Sequence, residues 1–169
     1  MKKESYDKFS NWFGAHPIAT KLLLGTDSAI TYIIVVAFIA LQIHYLINRD
    51  YYALASTLLV CGLSFIACTI LRKIINEARP YETLDTQPIR RRKKTGDSFP
   101  SRHAFSIFCI GVAFFQLMPA CGIVVFVLGA VLCAVRVIEG VHYPHDVILG
   151  AVMGVVTTAI GFGLSAVIR

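Results

Sequence analysis

Long apolar runs broken by short charged clusters dominate this chain. Four stretches free of Asp, Glu, Lys and Arg (28–47, 51–71, 104–135 and 147–168) reach the roughly 20 residues a helix needs to cross a bilayer. Only Asn48-Arg49-Asp50 separates the first two, which predicts a helical hairpin with a tight turn. The third is too long for one crossing and carries Pro119 and Gly122. These residues divide it into helices near 104–118 and 120–135. On the last run, Gly150, Gly154, Gly161 and Gly163 permit close packing against neighbouring helices. The pattern predicts an all-α, integral membrane helical bundle: one domain over 1–169 with about five transmembrane helices.

Ahead of the first run, Tyr6, Phe9, Trp12 and Phe13 recur at helical spacing among Lys2, Lys3, Asp7 and Lys8. This is the pattern of an amphipathic helix lying in the membrane interface, within an N-terminal segment 1–27. Five crossings put the polar loops 72–103 and 136–146 on one side of the membrane with the N-terminus. The turn at 48–50, the turn at 119 and Arg169 then fall on the other side.

Composition narrows the function classes. The chain is 56% hydrophobic and only 15% charged, against about 25% charged in a soluble domain, and its mean hydropathy is +0.68. The net charge of +6 sits between apolar runs rather than along a soluble face. This argues against nucleic acid and for anionic headgroups or phosphorylated substrates. All five cysteines lie in apolar segments with no CxxC pair or Cys/His metal spacing, so they read as small buried hydrophobes. Met-Lys-Lys leads into Glu-Ser-Tyr-Asp rather than an apolar run, so no cleavable leader is expected.

Three polar clusters share the loop side: 72–80, 98–103 and 136–146. The basic run Arg90-Arg91-Arg92-Lys93-Lys94 reads as a plain interface anchor. The three clusters do not, because anchoring gives no reason for a serine–histidine pair at a helix start or for two histidines with an aspartate. Arginine forks match phosphate oxygens, and a helix beginning near Ser101 presents unpaired N–H groups and a positive dipole end to an anion. Histidines from different loops can divide the work of nucleophile and general acid. An aspartate four residues beyond His142 can accept its Nδ1–H and leave Nε2 free. No carboxylate–histidine spacing suited to a metal accompanies them, so the chemistry implied is phosphoryl transfer without metal or cofactor.

These residues resemble the type 2 phosphatidic acid phosphatase family, whose motifs are K-x6-R-P, P-S-G-H and S-R-x5-H-x3-D. Arg79-Pro80, Pro100-Ser101-Arg102-His103, and Arg136 with His142 and Asp146 match them in order. Three positions depart. Arg72 stands where the first motif has lysine, with Lys73 one residue closer, and Arg102 replaces the glycine of the second motif. Val135 replaces the serine of the third, the loss of one neutral donor at a cost of about 1 kcal/mol.

The resemblance implies that His142 is the nucleophile and forms a phosphohistidine, with Asp146 orienting it. It implies that His103 is the general acid and then the base for hydrolysis. Arg72 or Lys73, Arg79, Ser101, the backbone near Arg102, and Arg136 would hold the phosphoryl oxygens. His145 lies outside the motifs and reads as a surface or supporting histidine. His16 and His44 read as interfacial, and Tyr81, Glu82 and Glu139 as borders of the site. The expected partners are the bilayer and a phosphorylated lipid: phosphatidic acid, phosphatidylglycerol phosphate or undecaprenyl diphosphate. A lipid phosphotransferase using the same site is the alternative, and a small membrane transporter is the rival from another class. The positive-inside rule applied to loop 72–103 favours the cytoplasmic face, although many members of the family work on the outer face.

Overall fold

The computed structural model describes residues 3–90 and 95–168, and its elements are helical throughout. They are α1 (Lys3–Ala15), α2 (Pro17–Ile47), α3 (Tyr51–Ile75), the single turn α4 (Pro80–Thr83), α5 (Arg102–Leu117), α6 (Pro119–Ile138) and α7 (Pro144–Ile168). Local chemistry sets the boundaries. Pro17, Pro80, Pro119 and Pro144 stand at the first position of four helices, where the absent N–H costs nothing. Asp50 caps α3 by accepting from the Ala53 N–H at 3.0 Å. Asn76 ends α3 in the left-handed conformation with its N–H on the Arg72 carbonyl, a common helix stop.

Among the described residues, four helical stretches are long and apolar enough to cross a membrane: α2, the stretch opening with α3, α6 and α7. The crossing expected near 104–118, the third of five, is α5, which has only 16 residues, about 24 Å of helix. It falls short of the other four in length and forms the centre of the bundle, packing against α2, α3, α6 and α7. Phe105, Cys109 and Ala113 of α5 pack with Leu41, Cys61 and Cys68, while its Ile107 packs with Ile30, Ile34, Val125 and Leu132. The outer faces carry exposed Val36, Leu63, Ile148 and Leu164, an apolar girdle suited to lipid rather than water.

The first crossing starts at Pro17, eleven residues earlier than the sequence pattern places it. The interfacial segment therefore ends at Ala15, and Asp27 lies inside α2 and is buried. Pro119 opens α6 rather than merely interrupting the run. Gly122 sits within α6, where an added Cβ would lie 2.7 Å from Phe115 Cβ.

Three of the four glycines in α7 make close contacts. A Cβ on Gly150 would lie 2.8 Å from the Ser101 carbonyl oxygen, one on Gly154 would overlap the Phe105 carbonyl oxygen, and Gly161 faces Val60 of α3. Gly150 and Gly154 thus form a small-xxx-small face that lets α7 approach the α5 backbone. Gly163 meets open space. Gly154→Leu is expected to lower stability by about 1–3 kcal/mol or more, read as a lower thermal midpoint in detergent, while Gly163→Leu leaves it unchanged.

Candidate active site

At the loop end of the bundle, the first turns of α5 and α7 meet: the Ser101 N–H donates to the Asp146 carbonyl at 2.9 Å. Two positive helix ends therefore converge on one spot. His142 lies in the connection ahead of α7, and its main-chain position is braced by Tyr6, whose hydroxyl donates to the His142 carbonyl at 3.1 Å.

Asp146 is fully buried, and its Oδ2 accepts from three places. Ser98 Oγ lies at 2.5 Å, the Tyr143 N–H at 2.9 Å, and His142 Nδ1 at 3.3 Å. Asp146 thereby fixes the His142 ring with Nδ1 inward. His142 is itself buried, and burial holds its pKa down to about 4. The nearby Arg79 and Arg136 charges push the same way, opposed by the bond to Asp146. At neutral pH the ring is uncharged, with Nε2 carrying the free lone pair.

The expected arginines gather round this pair, and Arg72 and Arg79 share the Asp97 carbonyl as a partner. Arg72, in the last turn of α3, donates to the carbonyls of Asp97 and Pro100 and, at 3.5 Å, to that of Ser98. Arg79 donates to Gly96 O at 3.0 Å, Val141 O at 3.1 Å and Asp97 O at 3.2 Å. The two guanidinium groups therefore bind the 96–100 segment to the first and third clusters. Glu82 holds the Arg79 N–H and the Gly96 N–H, both at 2.9 Å. Lys73 is exposed and lies outside this arrangement, so the register favours Arg72.

Arg136 is buried beside two carboxylates. Its Nε lies 2.8 Å from Asp27 Oδ1 and its Nη1 3.7 Å from Glu139 Oε2. Arg90 closes the group, with Nη2 2.7 Å from Asp27 Oδ2 and Nε 3.1 Å from both Glu139 oxygens. Burial and the Asp27 charge raise the Glu139 pKa, while Arg136 and Arg90 oppose the rise. Arg90 is thus part of a buried four-charge network rather than an interface anchor. The rest of that basic run, 91–94, lies outside the described residues.

Ser101 is fully buried and its Oγ makes no hydrogen bond among the described residues. His103 is half-buried in the first turn of α5. With Arg102, it lines a cavity of about 320 Å³ whose walls include Thr31, Ile34, Phe65 and Ile107. A second cavity of about 330 Å³ shares Phe65, Ser106 and Ile110 with the first. Arg102 itself is exposed, with its guanidinium 5.7 Å from the Phe65 ring centre. It sits at the mouth of this apolar space rather than among the other arginines.

Sequence reasoning placed Ser98 in the second cluster and Tyr6 on the interfacial helix without giving either a part in the site, and it did not single out Asp27. Asp27 gave one usable signal, a lone carboxylate adjoining an apolar run, which implies a buried partner. The fold also assembles a carboxylate–histidine group that spacing along the chain conceals: Glu77, His145 and Asp146. His16 stacks on Trp12 at 4.3 Å, and His44 contacts Asn48, both away from the site.

Comparison with known proteins identifies a family and a shared fold. The profile of the PAP2 superfamily matches residues 51–166. The bacitracin transport permease protein BcrC of Bacillus licheniformis is 32% identical over 104 residues, covering 59% of this chain and about half, 51%, of that relative. LpxE of Aquifex aeolicus superposes with a TM-score of 0.72 at 21% identity, covering 95% of this chain and 93% of the other. A PAP2 type phosphatidylglycerolphosphate phosphatase from Bacillus subtilis also gives 0.72, at 19% identity over 98% and 87%.

Because His142 is buried neutral, its titration contributes to stability. Its native pKa of about 4 lies below the ordinary 6.5, so the contribution is complete above pH 6.5. It is lost as pH falls through the window down to 4, for a total of about 3 kcal/mol. Unfolding midpoints of wild type should fall across that window more steeply than those of His142→Gln. Parallel curves for the two proteins would refute the buried neutral ring.

Proposed function

The chain belongs to the PAP2 superfamily, and from that premise we propose that it is a membrane lipid phosphatase working through a phosphohistidine. The observation that carries this reading is the bond between Asp146 and His142 Nδ1 at 3.3 Å, in a ring that burial keeps neutral. With Nδ1 engaged, Nε2 attacks phosphorus. The bond from phosphorus to the leaving oxygen breaks as His103 protonates that oxygen. His103, now neutral, takes a proton from water, which attacks the phosphohistidine and releases phosphate.

Developing charge on the phosphoryl oxygens meets Arg72, Arg79 and Arg136. The Ser101 hydroxyl, with no other hydrogen bond among the described residues, and the amides at the start of α5 complete the anion site. The substitution of valine at 135 removes a hydroxyl from the side of Arg136, and the Asp27 and Glu139 carboxylates provide the contacts that hold this arginine. Metal-free chemistry is part of the proposal.

A lipid substrate is supported by the cavities beside His103. Apolar walls between α2, α3 and α5 take the chain while Arg102 at the mouth meets the headgroup. BcrC, LpxE and the phosphatidylglycerolphosphate phosphatase direct attention to membrane phosphates and diphosphates. Phosphatidic acid, phosphatidylglycerol phosphate and undecaprenyl diphosphate are the substrates to compare. The transporter reading loses support because Asp27, a carboxylate within α2, is paired with Arg136 and Arg90 rather than facing a pathway.

Purified protein should release phosphate from at least one of these lipids, and His142→Ala should reduce release by about 10⁴-fold or more. An acid-labile, base-stable phosphoprotein should form on wild type and be absent from His142→Ala. Phosphate release that survives this substitution would exclude the mechanism.

The positive-inside rule places the site on the cytoplasmic face, with Arg90 excluded from the count because it serves the buried network. In a protein stripped of native cysteines, Thr95→Cys should react with a membrane-impermeant maleimide only after the cells are opened. Labelling of intact cells would reverse the orientation.

A further inference from the structure

The two oxygens of Asp146 face different surroundings. Oδ2 is saturated by Ser98, Tyr143 and His142, whereas Oδ1 is buried and makes no hydrogen bond among the described residues. Facing Oδ1 at 3.1 Å is His145 Nε2, which also lies 3.1 Å from Glu77 Oε1. One donor atom from each of these three residues lies within 4.8 Å of the others. His145 is half-exposed, and its ring stacks on Tyr143 at 5.3 Å. The group therefore has a buried floor, a ring held in place and an open outer side.

We propose that Glu77, His145 and Asp146 form an inhibitory site for a divalent cation of the zinc class. One imidazole nitrogen and two carboxylate oxygens with an open fourth position make a ligand set zinc accepts. Magnesium and calcium favour six or more oxygens instead. Ligands around a tetrahedral zinc lie about 3.3 Å apart, so the two 3.1 Å contacts need to open by only a few tenths of an ångström. Glu77, whose side chain is 35% exposed, has the freedom to complete the geometry. The cation binds His145 in its neutral form and displaces any proton from Nε2.

The consequence follows from the divided carboxylate. A cation on Oδ1 draws charge away from Oδ2 and loosens its hold on the His142 Nδ1–H. It also places positive charge beside the nucleophile and lowers the basicity of Nε2. The family motif leaves the position of His145 open, so this sensitivity belongs to this chain's own residues. The inhibitory part of the proposal rests on the phosphatase reading, whereas cation binding does not.

The test uses the full chain purified in detergent, with zinc chloride binding followed by calorimetry and phosphate release followed in parallel. Wild type should bind zinc and lose at least about tenfold of its phosphate release at saturation. Magnesium chloride at the same concentration should change neither reading. His145→Ser and Glu77→Gln should keep basal phosphate release and an unchanged circular dichroism spectrum. Each should raise the zinc concentration for half-inhibition by about tenfold to a hundredfold. No zinc binding by wild type, or equal binding by wild type and both variants, overturns the site. Binding that depends on these residues but leaves phosphate release unaltered overturns the inhibitory role. A protein that releases phosphate from no lipid sinks the phosphatase reading, while calorimetry still decides the metal site.

Discussion

The carboxylate of Asp146 is the contact on which the working end of this bundle depends. It sits in the first turn of α7, fully buried, and takes donors from the 98 segment, from Tyr143 and from His142. Those donors come from two loops that approach only because α5 and α7 pack backbone to backbone at Gly150 and Gly154. A buried carboxylate without donors would be expensive. Here three hydrogen bonds offset that cost and align the histidine at the same time. Packing in the membrane region and geometry at the site are thus one constraint, carried by two glycines and one carboxylate.

A second set of charges explains features that hydropathy alone misplaces. Asp27 extends the first crossing inward because Arg136 and Arg90 neutralise it inside the protein. Replacing such a network with apolar side chains is often no loss in stability, whereas removing one member leaves a buried charge unpaired. Its retention here has a positional rationale: Asp27 and Glu139 hold the Arg136 guanidinium on the site side of α6. They do so where the family motif would have placed a serine next to it.

The helical class, the hairpin at 48–50, the α5–α6 break and the sharing of one side by both polar loops were legible from the apolar runs. The spacing of His142 and Asp146 likewise indicated their contact, since a histidine and an aspartate four residues apart around a helix start are bound to meet. Contacts across the fold were not legible. Ser98 touches Asp146 over 48 residues of chain, and Tyr6 reaches His142 over 136. Glu77 meets His145 over 68. No local period encodes such distances. The starting point of α2 was missed for a related reason: a charge ends an apolar run in sequence but not in space when its counter-ion arrives from elsewhere.

The short length of α5 has a functional logic of its own. At about 24 Å the helix is shorter than the roughly 30 Å hydrocarbon core, and its neighbours α2, α3, α6 and α7 pack around it. Its N-terminus, carrying Ser101, Arg102 and His103, therefore sits within the rim of the bundle rather than projecting beyond it. Apolar cavities lined by Phe65, Ser106 and Ile110 run along the same helix below His103. Under the proposed function, a phosphate held at that N-terminus would place the attached lipid chain alongside apolar walls without leaving the membrane. Arg102 stands where those two environments meet, over the Phe65 ring. A glycine at that position would leave the mouth uncharged; an arginine adds a cation there while its stem covers apolar surface. Under the proposed function, the side chain that replaces the motif's glycine would stand between the phosphate and the chain.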